Sequence, residues 1–243
     1  MSYKVIIPAR LKSTRLPEKI LLDLGGKPLI ERVFEKCCQA TSPEDIWIAC
    51  DDTRVFELCK KFTQNVKLTN PNHQSGTDRI AEVAAELDCE IIVNLQGDEP
   101  FFDKKIISDL SSALKNSQAA MASVFAYLES KDDVNNPNLV KVVTDKDGFA
   151  LYFSRHAIPF MRDATEGAAV QYKKHIGIYA YKREFLLQFA NLPLSYLENM
   201  EKLEQLRALE SGFKILMLQT NSFEKGIDTP EDLENARLRF KQD

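Results

Sequence analysis

No apolar run in this 243-residue chain approaches the roughly twenty residues needed to cross a bilayer, so no membrane helix is expected. The N-terminus enters a strand-like run directly, without the charged, apolar and small-residue succession of a signal peptide. The five cysteines, Cys37, Cys38, Cys50, Cys59 and Cys89, are odd in number and contain no C-x-x-C pair, which argues against a disulfide framework and a zinc site. Most lie in apolar or amphipathic runs and read as buried reduced thiols of a cytoplasmic protein. No Pro/Gly/Ser-rich linker and no internal repeat breaks the chain, so residues 1–243 are expected to form one domain. Positive charge is not in excess: 32 Lys and Arg against 36 Asp and Glu give a net charge of −4, which excludes non-specific nucleic-acid binding. There are only three histidines.

What is present begins at the first twenty residues. Val5-Ile-Ile7 reads as a buried strand ended by Pro8, which cannot donate to the ladder. Behind it Arg10, Lys12, Arg15 and Lys19 crowd one loop. Such a loop is either solvated or, at the carboxyl end of the first strand of an α/β protein, a phosphate site.

Further along, Ile46–Cys50, Val66–Leu68 and Glu90–Leu95 read as strands, with helical spacing between them. The alternation predicts a doubly wound, mostly parallel α/β sheet. Ligands then bind beyond the carboxyl strand ends, where the basic loop, Asp51-Asp52 and Gln96-Gly-Asp98 share a rim. Ala120–Ala126 continues the sheet, Leu139–Val143 and Ala150–Ser154 read as a hairpin, and Lys174–Tyr181 is another strand. Ser195, or a residue beside it, opens a helix through Met200, Leu203, Leu206 and Leu209, on which Glu201, Glu204 and Gln205 share a polar face. That face is either solvated or turned to a hydroxyl-rich ligand. Residues of roughly 130–212 are expected to form a smaller subdomain within the domain, and 155–174, with Arg162, Asp163, Glu166 and Gly167, have the character of a lid.

Asp98 emerges at the rim after a glycine and can bind a hard cation. Asp228, in Gly226-Ile-Asp-Thr-Pro230, either joins it or caps the last helix, for which Thr229 is also suited. Two carboxylates opposite four cations favour a Mg²⁺–triphosphate site, since Mg²⁺ takes one or two carboxylates plus phosphate oxygens. No activated Ser or Cys nucleophile and no dedicated general base is evident.

With these segments in view, the chain resembles the 3-deoxy-manno-octulosonate (Kdo) cytidylyltransferases of the sugar nucleotidyltransferase superfamily. The matching stretches run almost end to end: Ile6-Ile-Pro-Ala-Arg10 with Ser13-Thr-Arg-Leu-Pro17 and Lys19; His73-Gln-Ser-Gly-Thr77; Val93–Pro100; Asn136-Pro137 with Val140–Val143; Ala150–Arg155; His175–Tyr179; Leu203–Arg207; and Gly226–Leu233. The resemblance implies a nucleotide-diphospho-sugar-transferase-like fold with an integral sugar-binding and dimerisation subdomain. It implies transfer of CMP from CTP to the anomeric hydroxyl of an eight-carbon acidic sugar, with pyrophosphate released, for lipopolysaccharide biosynthesis in the cytoplasm. By the same resemblance Arg10, Arg15 and Lys19 hold the triphosphate, with Ala9, Ser13 and Thr14 shaping the loop, and Ser75 and Gly76 lie near the base. Asp98 and Asp228 hold Mg²⁺. Gln96 lies between nucleotide and sugar, and Arg155, His175, Tyr179, Glu204 and Gln205 complete the sugar pocket. The expected partners are CTP and the sugar, with neither nucleic acid nor membrane, in a homodimer. His175 outside this resemblance reads as structural. Many superfamily members carry a glycine-rich loop after the first strand; the stretch from Ala9 to Lys19 has no glycine, so its cations must carry more of the phosphate charge. The competing readings are a cytidylyltransferase for an amino-Kdo or a nonulosonic acid, and a nucleotide-binding module without turnover.

Overall fold

The computed structural model describes residues 2–13, 15–128, 130, 132–162, 171–221 and 226–240. Among them a nine-stranded sheet is built around β1 (Tyr3–Ala9). It pairs in parallel with β2 (Ile46–Cys50) on one side and β4 (Ile91–Asn94) on the other, and β3 (Val66–Leu68) extends β2. β1, β2 and β4 carry near-continuous apolar runs because both faces are covered, whereas β3 is an edge strand with Leu68 exposed. Val5, Ile7 and Ala9 enter one core cluster and Ile6 the other.

Beyond β4 the order becomes β4-β8-β5-β9. Here β8 is Lys173–Lys182, β5 is Met121–Tyr127 and β9 is Ile215–Gln219. β8 is antiparallel to both β4 and β5, while β5 and β9 are parallel. Every strand of the main path except β8 therefore points the same way, and the expected α/β fold with a mostly parallel sheet holds. The anticipated hairpin is β6 (Lys141–Thr144) with β7 (Ala150–Ser154), attached through β6 to the start of β8. Asp145 closes its turn by accepting from the backbone N–H of Asp147 and Phe149.

The helices that matter for the site are α1 (Leu29–Cys38), α2 (Thr53–Cys59), α3 (Gly76–Ala84), α6 (Tyr196–Glu201), α7 (Gln205–Glu210) and α8 (Pro230–Phe240); α4 (Lys105–Lys115) and α5 (Arg183–Phe189) pack elsewhere on the sheet. The five cysteines are free thiols, four of them buried, as expected. No helix among the described residues is long and apolar enough to cross a membrane.

Two local expectations are corrected. Pro8 does not end β1: pairing with β2 continues through Pro8↔Ala49 and Ala9↔Cys50. Ile6 accepts from the N–H of Leu95 on the β4 side, and Pro8, two residues on, faces that same side. Pairing with β4 has already stopped at Ile6↔Asn94, so the missing N–H costs no ladder bond. The second correction is the helix from Ser195 to Gly212, which is two helices. Lys202 adopts φ 54°, a left-handed conformation that ends α6, and α7 starts three residues later. Glu201 and Glu204 therefore do not share a helix face. Glu201 turns to Ser154 and the backbone of Arg155, Glu204 to Thr77.

Candidate active site

A cavity of about 540 Å³ opens beyond the carboxyl ends of β1 and β4. Its triphosphate-like end is built by the basic loop. Asp51 accepts from the backbone N–H of Leu11 at 2.9 Å and anchors the loop's start to the end of β2. The other rim carboxylate, Asp52, caps α2. Neither lines this cavity; both are structural.

Asp98 and Asp228 lie far apart in sequence and are brought together by one backbone bond, Ile227 N–H to the Asp98 carbonyl at 2.9 Å. Close approach of two glycines supports this. A Cβ at Gly97 would sit 2.9 Å from the Pro8 carbonyl oxygen, and one at Gly226 only 3.4 Å from the Asp98 carbonyl oxygen. The capping alternative for Asp228 is resolved by its neighbours. Thr229 and Asp232 form the cap of α8, with Thr229 Oγ1 accepting from the Asp232 N–H at 3.1 Å and Asp232 Oδ2 accepting from the Thr229 N–H at 2.8 Å. The Asp228 carboxylate is left to face the cavity. Lys19 Nζ sits between the two carboxylates, donating to Asp98 and, at 2.9 Å, to Asp228 Oδ1, while Arg15 pairs with Asp228 Oδ2 at 2.8 Å. Burial works against the Lys19 charge, but Asp98 and Asp228 together outweigh it and hold its pKa above the ordinary lysine value.

Glu99, to which the sequence reading gave no role, lies beside this pair. Burial first, then repulsion from Asp98 and Asp228, pushes its pKa up to about 8, so at neutral pH it is mostly protonated and the site carries two carboxylates rather than three. Among the described residues no cluster of three or more His, Cys, Asp or Glu could hold a metal ion.

Arg10, Ser13, Arg15, Lys19, Gly76, Gln96, Asp98, Tyr179, Glu204, Gln205 and Asp228 all line the cavity, as does Lys12, for which the sequence offered nothing. Ala9 is the fully buried last residue of β1. Ser75 is spent on the capping box of α3 with Asp78, one residue behind Gly76. Thr14 and the middle of the expected lid, 163–170, including Asp163, Glu166 and Gly167, lie outside the described residues.

Two expected sugar contacts are not in the cavity wall. Arg155 donates Nε to the Glu201 carbonyl at 2.7 Å and Nη1 to the Pro137 carbonyl at 2.9 Å, gripping the corner between α6 and α7. His175 shares a hydrogen bond of 3.0 Å with Ser123 and packs edge-on against Phe153 and beside Tyr179. The residue as a whole is half-buried, and desolvation of the ring pulls its pKa down to about 3, so the ring is neutral. Thr77 and Asn94 line the cavity and were missed. Thr77 stood inside a matching stretch without a role of its own, and Asn94 read as part of a strand.

An α/β sheet with a basic loop after β1, and two carboxylates across from it, defines a nucleotidyltransferase site. The cytidylyltransferase family model matches residues 4–215. A 3-deoxy-manno-octulosonate cytidylyltransferase from Geobacter sulfurreducens is 42% identical over 99% of this chain and 100% of its own length. The 3-deoxy-manno-octulosonate cytidylyltransferase 2 of Actinobacillus pleuropneumoniae is 47% identical over 98% of both. The chain belongs to the 3-deoxy-manno-octulosonate cytidylyltransferase family. Among solved structures, CMP:2-keto-3-deoxy-manno-octonic acid synthetase complexed with CTP superposes with a TM-score of 0.93 at 38% identity, over 100% of this chain and 99% of that one. A glucose-1-phosphate thymidylyltransferase from Bacillus anthracis, 16% identical with a TM-score of 0.70 over 100% of this chain and 96% of that one, shares the fold.

Proposed function

We infer that this enzyme transfers CMP from CTP to the anomeric hydroxyl of 3-deoxy-D-manno-octulosonate and releases pyrophosphate. The observation that carries the reading is a single cavity with two chemically different ends. Arg15 and Lys19 meet Asp98 and Asp228 at one, with Arg10, which donates to the Gln74 carbonyl, lining the same cavity; Tyr179, Glu204 and Gln205 stand at the other.

Asp98 and Asp228 would hold Mg²⁺. The fit lies in the donor set, since both carboxylates already converge on one cation, the Lys19 ammonium, and two carboxylates leave the remaining positions to phosphate oxygens and water, as Mg²⁺ prefers. Bound there, the ion supplies charge neutralisation at the α-phosphate. The chain's own residues do the rest. Arg10, Arg15 and Lys19 hold the triphosphate and stabilise the departing pyrophosphate, which an in-line phosphoryl transfer requires more than a covalent partner. Gly76, without a side chain, leaves the start of α3 open to the base. Gln205 Nε2 is buried without a partner, a donor that a sugar hydroxyl would satisfy.

The product would enter lipopolysaccharide biosynthesis in the cytoplasm. The enzyme acts as a homodimer in this reading. Six of the nine exposed large apolar side chains among the described residues, Leu151, Phe160, Met161, Leu194, Tyr196 and Met200, fall between positions 151 and 200, and they are the side chains a partner protomer would cover.

Pyrophosphate release measured with each of the four nucleoside triphosphates and a panel of acidic sugars tests the proposal. Release is expected with CTP, Mg²⁺ and Kdo together. Faster turnover of an amino-Kdo or a nonulosonic acid would reassign the acceptor, and silence with every pair would remove the activity.

A further inference from the structure

Thr77 stands immediately after Gly76 in the first turn of α3, where the Ser75–Asp78 capping box fixes the backbone. Its hydroxyl is buried and donates to Glu204 Oε2 at 2.6 Å, across 127 residues of sequence. Glu204 precedes α7, just beyond the left-handed Lys202, and its carboxylate makes no capping bond to its own helix. It is turned outward to Thr77 instead.

The direction of this bond is set by chemistry. An ionised carboxylate only accepts, so Thr77 must donate to it and keeps its lone pairs for another donor. The Tyr181 hydroxyl also interacts with Thr77 and with Asn94. Asn94 in turn accepts from Gln96 Nε2 at 3.4 Å. A line of polar groups, buried at Asn94, Tyr181 and Thr77, thus runs from Gln96, just beyond β4 near Asp98, to Glu204 at the sugar end.

We propose that Thr77 is a positioning residue for the acceptor, holding the Glu204 carboxylate in register with the nucleotide end of the cavity. The inference rests on the reading above in which Glu204 faces the sugar. It places on α3, beside the nucleotide, the group that orients a sugar contact on α7. A bond to a carboxylate is among the stronger hydrogen bonds, so its loss should be visible in acceptor binding.

The surroundings of Glu204 make a second readout available. Burial pushes its pKa up most; Thr77 and Arg207 on α7 pull it down, while Asp78 on α3 and Glu198 on α6 push it up. Tyr179 and Tyr181 face it from β8, both neutral because burial raises their pKa values. Without the Thr77 hydroxyl the carboxylate loses a bond that favours its charged form, and its pKa rises.

The experiment compares Thr77→Val, which keeps the shape, with Thr77→Ser, which keeps the hydroxyl, in steady-state pyrophosphate release with Kdo and CTP varied separately. Thr77→Val is expected to raise KM for Kdo about tenfold or more. KM for CTP should change less than about twofold, and the acid limb of kcat/KM for Kdo should move to higher pH. Thr77→Ser should recover most of the acceptor affinity. Equal rises in both KM values, failure of serine to rescue, or an unmoved acid limb would each overturn the proposal. Wild-type protein is the control that separates the two readings: if it does not turn over Kdo, the proposed function fails. If it does, and Thr77→Val matches it, only the role of Thr77 fails.

Discussion

Removing Lys19 should move metal affinity and turnover in opposite directions. Its ammonium bridges Asp98 and Asp228, with side chains 12%, 25% and 32% exposed respectively. Two oxygens bonded to one nitrogen are at most about 6 Å apart. At an effective dielectric of ~20, two like charges at that distance repel by about 3 kcal/mol. In Lys19→Met that repulsion is unmasked. A divalent cation entering the free variant relieves the repulsion and no longer competes with an ammonium. Allowing for partial exposure, a gain of ~2 kcal/mol gives Mg²⁺ binding about thirtyfold tighter than in the wild type. Turnover should fall by about 10²–10³, the usual cost of deleting one preorganised group that stabilises developing charge. Calorimetric titration of nucleotide-free protein with Mg²⁺ at pH 8, alongside pyrophosphate release, measures both. Unchanged or weaker Mg²⁺ binding in Lys19→Met would refute the idea that these two carboxylates form the cation site.

Asp228→Asn should abolish most turnover while leaving the thermal midpoint near the wild-type value, whereas Thr229→Ala, which removes the cap of α8, should cost about 1 kcal/mol of stability and little of kcat; urea denaturation with pyrophosphate release separates the two. Gly97→Ala forces a Cβ to within 2.9 Å of the Pro8 carbonyl oxygen, backbone against backbone, and should destabilise by about 1–3 kcal/mol in the same denaturation assay. His175 has a folded pKa of about 3, below its unfolded value, so the unfolded chain binds the extra proton in the window between. Its contribution to stability is whole above about pH 6.5 and drains away as pH falls towards 3, by up to ~1.4 kcal/mol per pH unit; stability measured from pH 7 to 4.5 should fall less steeply in His175→Gln.

The first hundred residues were legible because strands buried on both faces are short apolar runs, and few other structures present Val5-Ile-Ile7 or Ile46–Cys50 in that form. Asp98 and Asp228 could be placed on one rim because each follows or precedes a turn with glycine. Other features depended on distance, which composition does not carry. Nothing in Glu201–Arg207 announces that Lys202 takes a left-handed conformation, since lysine is not the residue that usually does so. A helical period drawn through it put Glu201 on the wrong surface. Arg155 and His175 were expected in the sugar pocket from the resemblance alone, and the structure gives their polar atoms to backbone carbonyls and to Ser123. Thr77 went unnoticed because its partner is 127 residues away.

The place of β8 has a consequence for the order in which the chain can fold. β4 and β5 are neighbours in sequence, yet β8 lies between them in the sheet. A chain extended only to residue 172 has β4, buried throughout in the finished sheet, with one edge open and no strand to fill it. Closing that gap requires a contact spanning about ninety residues, a slow, loop-entropy-limited step during which an apolar edge is available to other chains. Fragments ending before residue 173 should therefore self-associate, and the late arrival of Lys173–Lys182 is the event that turns two half-sheets into one.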